Sequence, residues 1–182
     1  MALTNEQLIL LDNMIYLDNT VIVNSESRNV NDVVIGLLNM TDKQFKETVT
    51  DKQFYYCNDM VNGMSPEQWR TVLNAIAADE TLMSMQITNV KDDNDDTGGK
   101  DKSATGFRAA CFTNGEDTAV IYRGTVGSYQ WDDNGVGGTS TGTVSQLQAY
   151  KYLSELQEYI TAEAEGEVMC GRYVMDNIIK VF

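Results

Sequence analysis

The residues best suited to chemistry lie in one stretch, Ala119-Val120-Ile121-Tyr122-Arg123-Gly124-Thr125, which continues through Val126-Gly127-Ser128-Tyr129-Gln130-Trp131-Asp132-Asp133. An apolar run ends there in Arg-Gly-Thr, and a glycine-containing loop with Trp and Asp follows. Gly124 lets the backbone turn sharply without a Cβ clash. Thr125 offers a backbone N–H and a hydroxyl at the C-terminal edge of the expected strand, where open α/β sheets bind ligands. Two such donors stabilise a developing oxyanion, so Thr125 is the oxyanion-hole candidate. In the plainer alternative, Arg123 ties the loop down through hydrogen bonds and Thr125 merely ends the strand.

Other chemistries are excluded by residue type. The 182 residues include no histidine, so this chain cannot build a Ser-His-Asp or Cys-His unit or a histidine metal site. Cys57, Cys111 and Cys170 are too few and too far apart for a disulfide framework or a zinc ribbon, and read as reduced, buried thiols. The acidic run Asp92-Asp93-Asn94-Asp95-Asp96-Thr97-Gly98 invites a calcium reading. With Gly98 at position 6 of an EF-hand loop, position 12 is Ala104; starting at Asp92 puts Thr97 where glycine belongs and Ser103 at position 12. Neither register supplies the closing carboxylate, and a solvated loop from Asp92 to Lys102 is expected. Gly135-Val136-Gly137-Gly138 has no following lysine and no strand directly before it, so it is neither a P-loop nor a dinucleotide fingerprint. No metal and no cofactor are expected. Lys and Arg number 13 against 27 Asp and Glu, a formal charge of −14, which opposes nucleic acid and an anionic membrane face. The opening residues lack the basic region of a signal peptide, and the apolar run Leu8 to Leu11 is far too short for a membrane span. A cytoplasmic location is expected.

The elements that must position the Arg-Gly-Thr stretch can be read from pattern. The length predicts one domain with a real core, covering roughly 70% of the unfolded surface. Helices are predicted in the first 80 residues. Thr4 with Gln7 forms a capping box ahead of Leu8, Leu11 and Ile15. Asn31 or Asn29 caps a short helix carrying Val33, Val34, Leu37 and Leu38, and Thr41 with Gln44 offers another box. Ser65 as N-cap, Pro66 at the first helical position and Glu67 near the positive dipole end start the clearest helix. Its buried stripe is Trp69, Val72, Leu73, Ile76 and Ala77. Met83, Met85 and Ile87 then alternate with Ser84, Gln86 and Thr88, predicting a strand packed through its methionines. Phe107, Ala109 and Cys111 alternate with Arg108, Ala110 and Phe112. Asn114-Gly115 signals a hairpin, and Thr118 to Tyr122 is a nearly all-apolar return strand, buried on both faces. Thr143 opens a helix with the stripe Ala149, Leu153, Leu156 and Ile160. The tail from Thr161 to Phe182 has no single period.

The Arg-Gly-Thr stretch resembles the oxyanion strand of class 3 lipases: a hydrophobic run, then Phe-Arg-Gly-Thr or Ser, then a loop with Asp and Trp. Tyr122 stands where Phe is usual. Over roughly residues 3 to 160 the chain is similar to a closer group, the bacterial lipase-like α/β-hydrolases filed as the Mbeg-like domain of unknown function. The resembling segments are Leu3-Thr4-Asn5-Glu6-Gln7, Leu11-Asp12-Asn13, Tyr16-Leu17-Asp18-Asn19, Thr105-Gly106-Phe107-Arg108-Ala109-Ala110-Cys111-Phe112, and Tyr122-Arg123-Gly124-Thr125 through Trp131-Asp132-Asp133-Asn134.

The resemblance implies an α/β fold: N-terminal helices, then a partial α/β-hydrolase-type sheet with one crossover helix. Residues 1–160 form the N-terminal part of a lipase-like domain, and 161–182 a divergent tail. It implies serine ester hydrolysis of an acyl ester or lipid, with Thr125 as the oxyanion donor and Gly124 and Trp131 binding substrate. In the family, the helix matching Ser145 to Tyr159 leads to a strand and a Gly-His-Ser-x-Gly elbow. Here Ala162-Glu163-Ala164-Glu165-Gly166-Glu167 follows instead, and Cys170-Gly171-Arg172-Tyr173 is no substitute. The expectation is a truncated or frame-altered family member lacking nucleophile, acid and base, and therefore inactive. The alternative is a non-catalytic remnant that pairs with another chain, or with its own copies, through an unpaired strand edge.

Overall fold

The computed structural model describes residues 3–17, 22, 29–49, 64–92, 107–123, 147–156 and 178–181. The helices described before the sheet are α1 (Asn5–Met14), α2 (Val30–Leu38), α3 (Asp42–Val49), α4 (Pro66–Ala77) and the single turn α5 (Glu80–Met83). The strands are β1 (Gln86–Asp92), β2 (Arg108–Thr113), β3 (Thr118–Tyr122) and β4 (Ile178–Val181). Residues 147–156 form α6, between β3 and β4 in the chain. The fold is mixed α/β.

Helix starts follow the caps expected from sequence. Thr4 Oγ1 accepts from Gln7 N at 3.2 Å, and Gln7 Oε1 accepts from Thr4 N at 2.9 Å. Asn29, rather than Asn31, caps α2: its Oδ1 accepts from Asp32 N at 2.7 Å. Thr41 and Gln44 make the same reciprocal pair before α3. Ser65 and Gln68 close a box at α4, with Pro66 just inside the helix. The Ser65 hydroxyl also donates to Glu67, which holds that exposed carboxyl below the usual range. Replacing Ser65 with Ala is expected to destabilise the fold by about 1 kcal/mol, the usual cost of a lost cap. Urea denaturation checks this, and an unchanged midpoint would show that the box contributes nothing.

Trp69, Leu73 and Ile76 of α4 are fully buried, as the stripe predicted, while Val72 and Ala77 are partly buried at its margin. They form one core with Leu11 and Met14 of α1, Val34 and Leu37 of α2, Phe45 of α3, and one face of the sheet. Arg70 fastens the helices at their polar edge. Its guanidinium lies 4.2 Å over the Phe45 ring, donates to the Leu38 and Met40 carbonyls that end α2, and pairs with Asp42.

The strand predicted from Met83 begins three residues later. Asp79 accepts from Leu82 N at 3.1 Å, and this cap folds Glu80–Met83 into a helical turn. Met83 therefore lies in α5, partly buried, while Met85 is fully buried ahead of β1. Period-two spacing over so short a run lost to a local cap.

The described strands lie in the order β1-β2-β3-β4. β1, β2 and β3 are antiparallel neighbours, and β4 runs parallel to β3. β2 and β3 join through residues 114–117. Asn114 Oδ1 accepts from Glu116 N and Asp117 N, and Gly115 takes a φ of +89°, which favours glycine. The Asn-Gly signal thus gives a four-residue connection, with Thr113 opposite Thr118. β2 is buried on both faces from Arg108 to Phe112, so its alternation separates two cores rather than core from solvent. Ala110, Phe112, Ala119 and Ile121 meet the N-terminal helices. Ala109, Cys111 and Val120 meet Tyr152 and Leu156 of α6. Ala149 and Leu153 pack at the margin of this second core, and Ile160 of the expected stripe lies outside the described residues. Among the described residues no helix is long and apolar enough to cross a membrane.

Candidate functional site

The Arg-Gly-Thr stretch begins at Arg123, the residue that follows β3. β3 is an interior strand, buried from Thr118 to Ile121, with β2 on one side and β4 on the other. Its apolar sequence suits that position, because both faces and both edges are covered. Immediately beyond it, Arg123 N donates to Arg108 O at 2.9 Å, continuing the ladder by one residue. Arg123 is buried and engaged in interactions. Gly124, Thr125 and Trp131 lie outside the described residues, as do Gly135 to Gly138, Cys57 and Cys170.

Arg108 is the residue that fixes this end of the sheet. It faces the N-terminal helices on the same side as Ala110, by the alternation of β2. Its Nη1 donates to the carbonyls of Ile15 at 3.3 Å and Leu17 at 2.7 Å, just past α1. Its Nη2 donates to Asp92 Oδ2 at 2.7 Å. The two side chains are only 5% and 7% exposed, which makes this a buried ion pair rather than a surface one. Arg108 Nε and Asp92 Oδ1 are buried without a hydrogen-bond partner among the described residues.

The sequence pattern expects Asp92 to open the solvated acidic loop. It is instead the last residue of β1, directly opposite Arg108 in the ladder. A buried guanidinium needs a counter-charge, and the ladder register delivers this carboxylate. The rest of the acidic run, from Asp93, lies outside the described residues. Among the described residues no three Cys, Asp or Glu side chains come together to hold a metal ion.

The opposite face at the same end is aromatic. The rings of Phe107, Tyr122 and Tyr152 lie 5.9 to 6.2 Å apart, centroid to centroid, in tilted and edge-on contacts. Such geometry matches positive ring edges to negative faces. Tyr152 donates its hydroxyl to Asn89 O at 2.9 Å. Asn89 has a φ of +50°, within the register shift between Thr88 and Lys91, so the irregularity of β1 presents that carbonyl to α6. Burial pushes the Tyr122 phenol up to about 12. It pushes Tyr152 up further, with Cys111 and Tyr122 adding to the effect. Burial likewise raises the Cys111 thiol, opposed by the Thr88 hydroxyl. Cys111 is a buried free thiol with no feature that would make it a nucleophile.

These shifts predict an alkaline weakness. A phenol whose folded pKa is raised stabilises the fold fully below its unfolded value of 10.0. That contribution is lost as pH rises through 10 towards the folded value of about 12. Stability to urea is therefore expected to fall across that window, and to fall less steeply in Tyr122→Phe. Equal slopes for the two proteins would show that this phenol is not held neutral by the fold.

Sequence reasoning missed the Asp92–Arg108 pair and the role of Tyr152. The signal for the first was an arginine inside an otherwise apolar strand. For the second it was a tyrosine between Ala149 and Leu156 on the helix stripe.

No protein-family model, curated protein or solved structure matches this chain.

Proposed function

We propose that this chain is a lipase-like α/β-hydrolase-type scaffold that binds an acyl ester or lipid at the end of β3 and does not turn it over. The observation that carries this reading is the β3–α6–β4 arrangement. An interior apolar strand runs into Arg123-Gly124-Thr125, a helix packs on one sheet face, and a parallel strand follows beside the first. Parallel strands joined through a helix are what a hydrolase-type sheet needs, and the end of such a strand is where ligands bind. Thr125 is the donor to the acyl oxygen in this proposal, and Gly124 and Trp131 line the site. The absence of any histidine removes the imidazole base of the usual triad.

The test is titration with an octyl phosphonate, which presents a charged tetrahedral head and an acyl-like tail. Saturable shifts of the Gly124 and Thr125 amide resonances in the wild type, with the Gly124 shift lost in Thr125→Pro, support the reading. Shifts confined to other regions, or none, overturn it.

A second reading is favoured by the sheet boundary. Among the described residues β4 is the last strand on this side of the sheet. Exposed edges pair with other chains, and the chain then serves as a non-catalytic interaction module. Light scattering across a range of protein concentrations tests it. A mass that stays at one chain throughout, in the wild type and in edge variants, overturns it.

A further inference from the structure

We propose that Asn114, in the turn between β2 and β3, is a self-modification site, where the fold drives loss of the side-chain amide as ammonia and leaves mainly aspartate. The reaction is independent of any ligand at the end of β3.

An asparagine followed by glycine can cyclise onto the next peptide nitrogen, because glycine has no side chain to crowd the approach. The chain has three such pairs, Asn62-Gly63, Asn114-Gly115 and Asn134-Gly135. Of these, only Asn114-Gly115 lies among the described residues. Gly115 is exposed, with a φ of +89°, and nothing stands within 4 Å of where a Cβ would sit. Solvent therefore reaches its nitrogen.

Hydroxide from solvent takes the Gly115 N–H proton, and the nitrogen attacks Asn114 Cγ. The developing negative charge falls on Oδ1. The tetrahedral centre then collapses, the Cγ–Nδ2 bond breaks, and Nδ2 leaves as ammonia with a proton from water. A cyclic imide remains, and water opens it. Cleavage between Cγ and the Gly115 nitrogen restores an ordinary peptide bond and gives aspartate. Cleavage at the main-chain carbonyl gives isoaspartate. In either case asparagine and water become the acid and ammonia.

The fold adds two donors at the atom that becomes charged. Glu116 N donates to Asn114 Oδ1 at 3.0 Å, and Asp117 N donates to it at 2.7 Å. Two backbone N–H groups at this range are what stabilises an oxyanion. They hold the charged tetrahedral centre more tightly than the neutral amide, so they lower the barrier. The bond that must be given up, from Gly115 N to Thr113 Oγ1, is the longer one at 3.2 Å. The same donors polarise Cγ of the imide and direct water to it, which yields aspartate. Its carboxylate keeps both bonds and strengthens them with its charge. Isoaspartate would instead add a main-chain carbon to the connection that sets Thr113 opposite Thr118.

The experiment holds the full chain in mildly alkaline buffer, folded and in urea. Peptide mapping by mass spectrometry follows Asn114 separately from Asn62 and Asn134, and an isoaspartyl methyltransferase assay identifies the product. The urea sample gives the rate of the bare sequence. Folded chain is expected to convert Asn114 several-fold faster than this, and to give mainly aspartate. Conversion no faster than in urea, or a folded product that is mainly isoaspartate, overturns the proposal. Glu116→Pro removes one of the two donors and is expected to bring the folded rate down towards that in urea. An unchanged rate in a folded Glu116→Pro also overturns it. Should that variant not fold, the comparison of folded and unfolded wild type decides alone.

Discussion

The purified chain is expected to hydrolyse no short-chain nitrophenyl ester above the buffer rate. Acyl transfer by a serine hydrolase needs a nucleophile, a base that takes its proton, and a group that orients the base. The sequence contains no histidine, so the imidazole base of the usual triad is missing wherever a serine is placed. The one cysteine described, Cys111, is buried with its thiol raised by desolvation, the opposite of an activated nucleophile. Tyr122 and Tyr152 are also held neutral by burial and are poor bases near neutral pH. On the proposed reading, what remains is oxyanion stabilisation and binding. In a serine hydrolase, losing the nucleophile or the base costs on the order of 10⁶-fold in turnover. Saturable hydrolysis that persists through repurification and survives Thr125→Pro would sink this expectation and require a nucleophile that works without an imidazole base.

Local chemistry was the most legible part of the sequence. Thr4-Gln7 and Thr41-Gln44 each announce a helix start within four residues and make the expected reciprocal bonds, and Ser65 caps α4 as expected, with Gln68 completing a box that the sequence reading did not name. The apolar run of β3 and the Asn-Gly signal before it place the β2–β3 hairpin correctly. Where two local signals competed, the stronger won. The Asp79 cap took Met83 into a helical turn against the alternation that predicted a strand. Long-range consequences were not legible. Nothing near Asp92 distinguishes it from the aspartates that follow; only pairing with β2 brings it to Arg108. The same holds for Tyr152, whose partner is a carbonyl turned outward by a strand irregularity at Asn89. Of the candidate site, the sequence correctly indicated an interior strand leading to Gly124. The buried charges that hold its neighbouring strand come from topology.

That ion pair sets the second large expectation: Arg108→Met is expected to destabilise the fold by about 3–5 kcal/mol, the usual cost of breaking a buried pair from one side. Methionine is a fair spatial match for the arginine stem, so the loss is electrostatic rather than a cavity. It strands the Asp92 carboxylate, 7% exposed, and removes the donor to the Ile15 and Leu17 carbonyls. Both carbonyls lie where α1 ends, so α1 loses its tie to the sheet as well. Asp92→Leu leaves the guanidinium buried with only those carbonyls to satisfy it and is expected to cost a similar amount. The double variant separates the two effects. With both charges gone, the desolvation of each is no longer incurred, and buried pairs replaced by apolar residues are often neutral or better. The double variant is therefore expected to lie closer to the wild type than either single variant, so the coupling energy in a double-mutant cycle is at least one single-variant loss, about 3 kcal/mol or more. Urea denaturation of the four proteins supplies the cycle. Additive losses would mean that Arg108 acts through the α1 carbonyls alone. A single-variant cost below about 1 kcal/mol, the range of solvent-exposed pairs, would mean that water reaches the pair and that this end of the sheet is not closed.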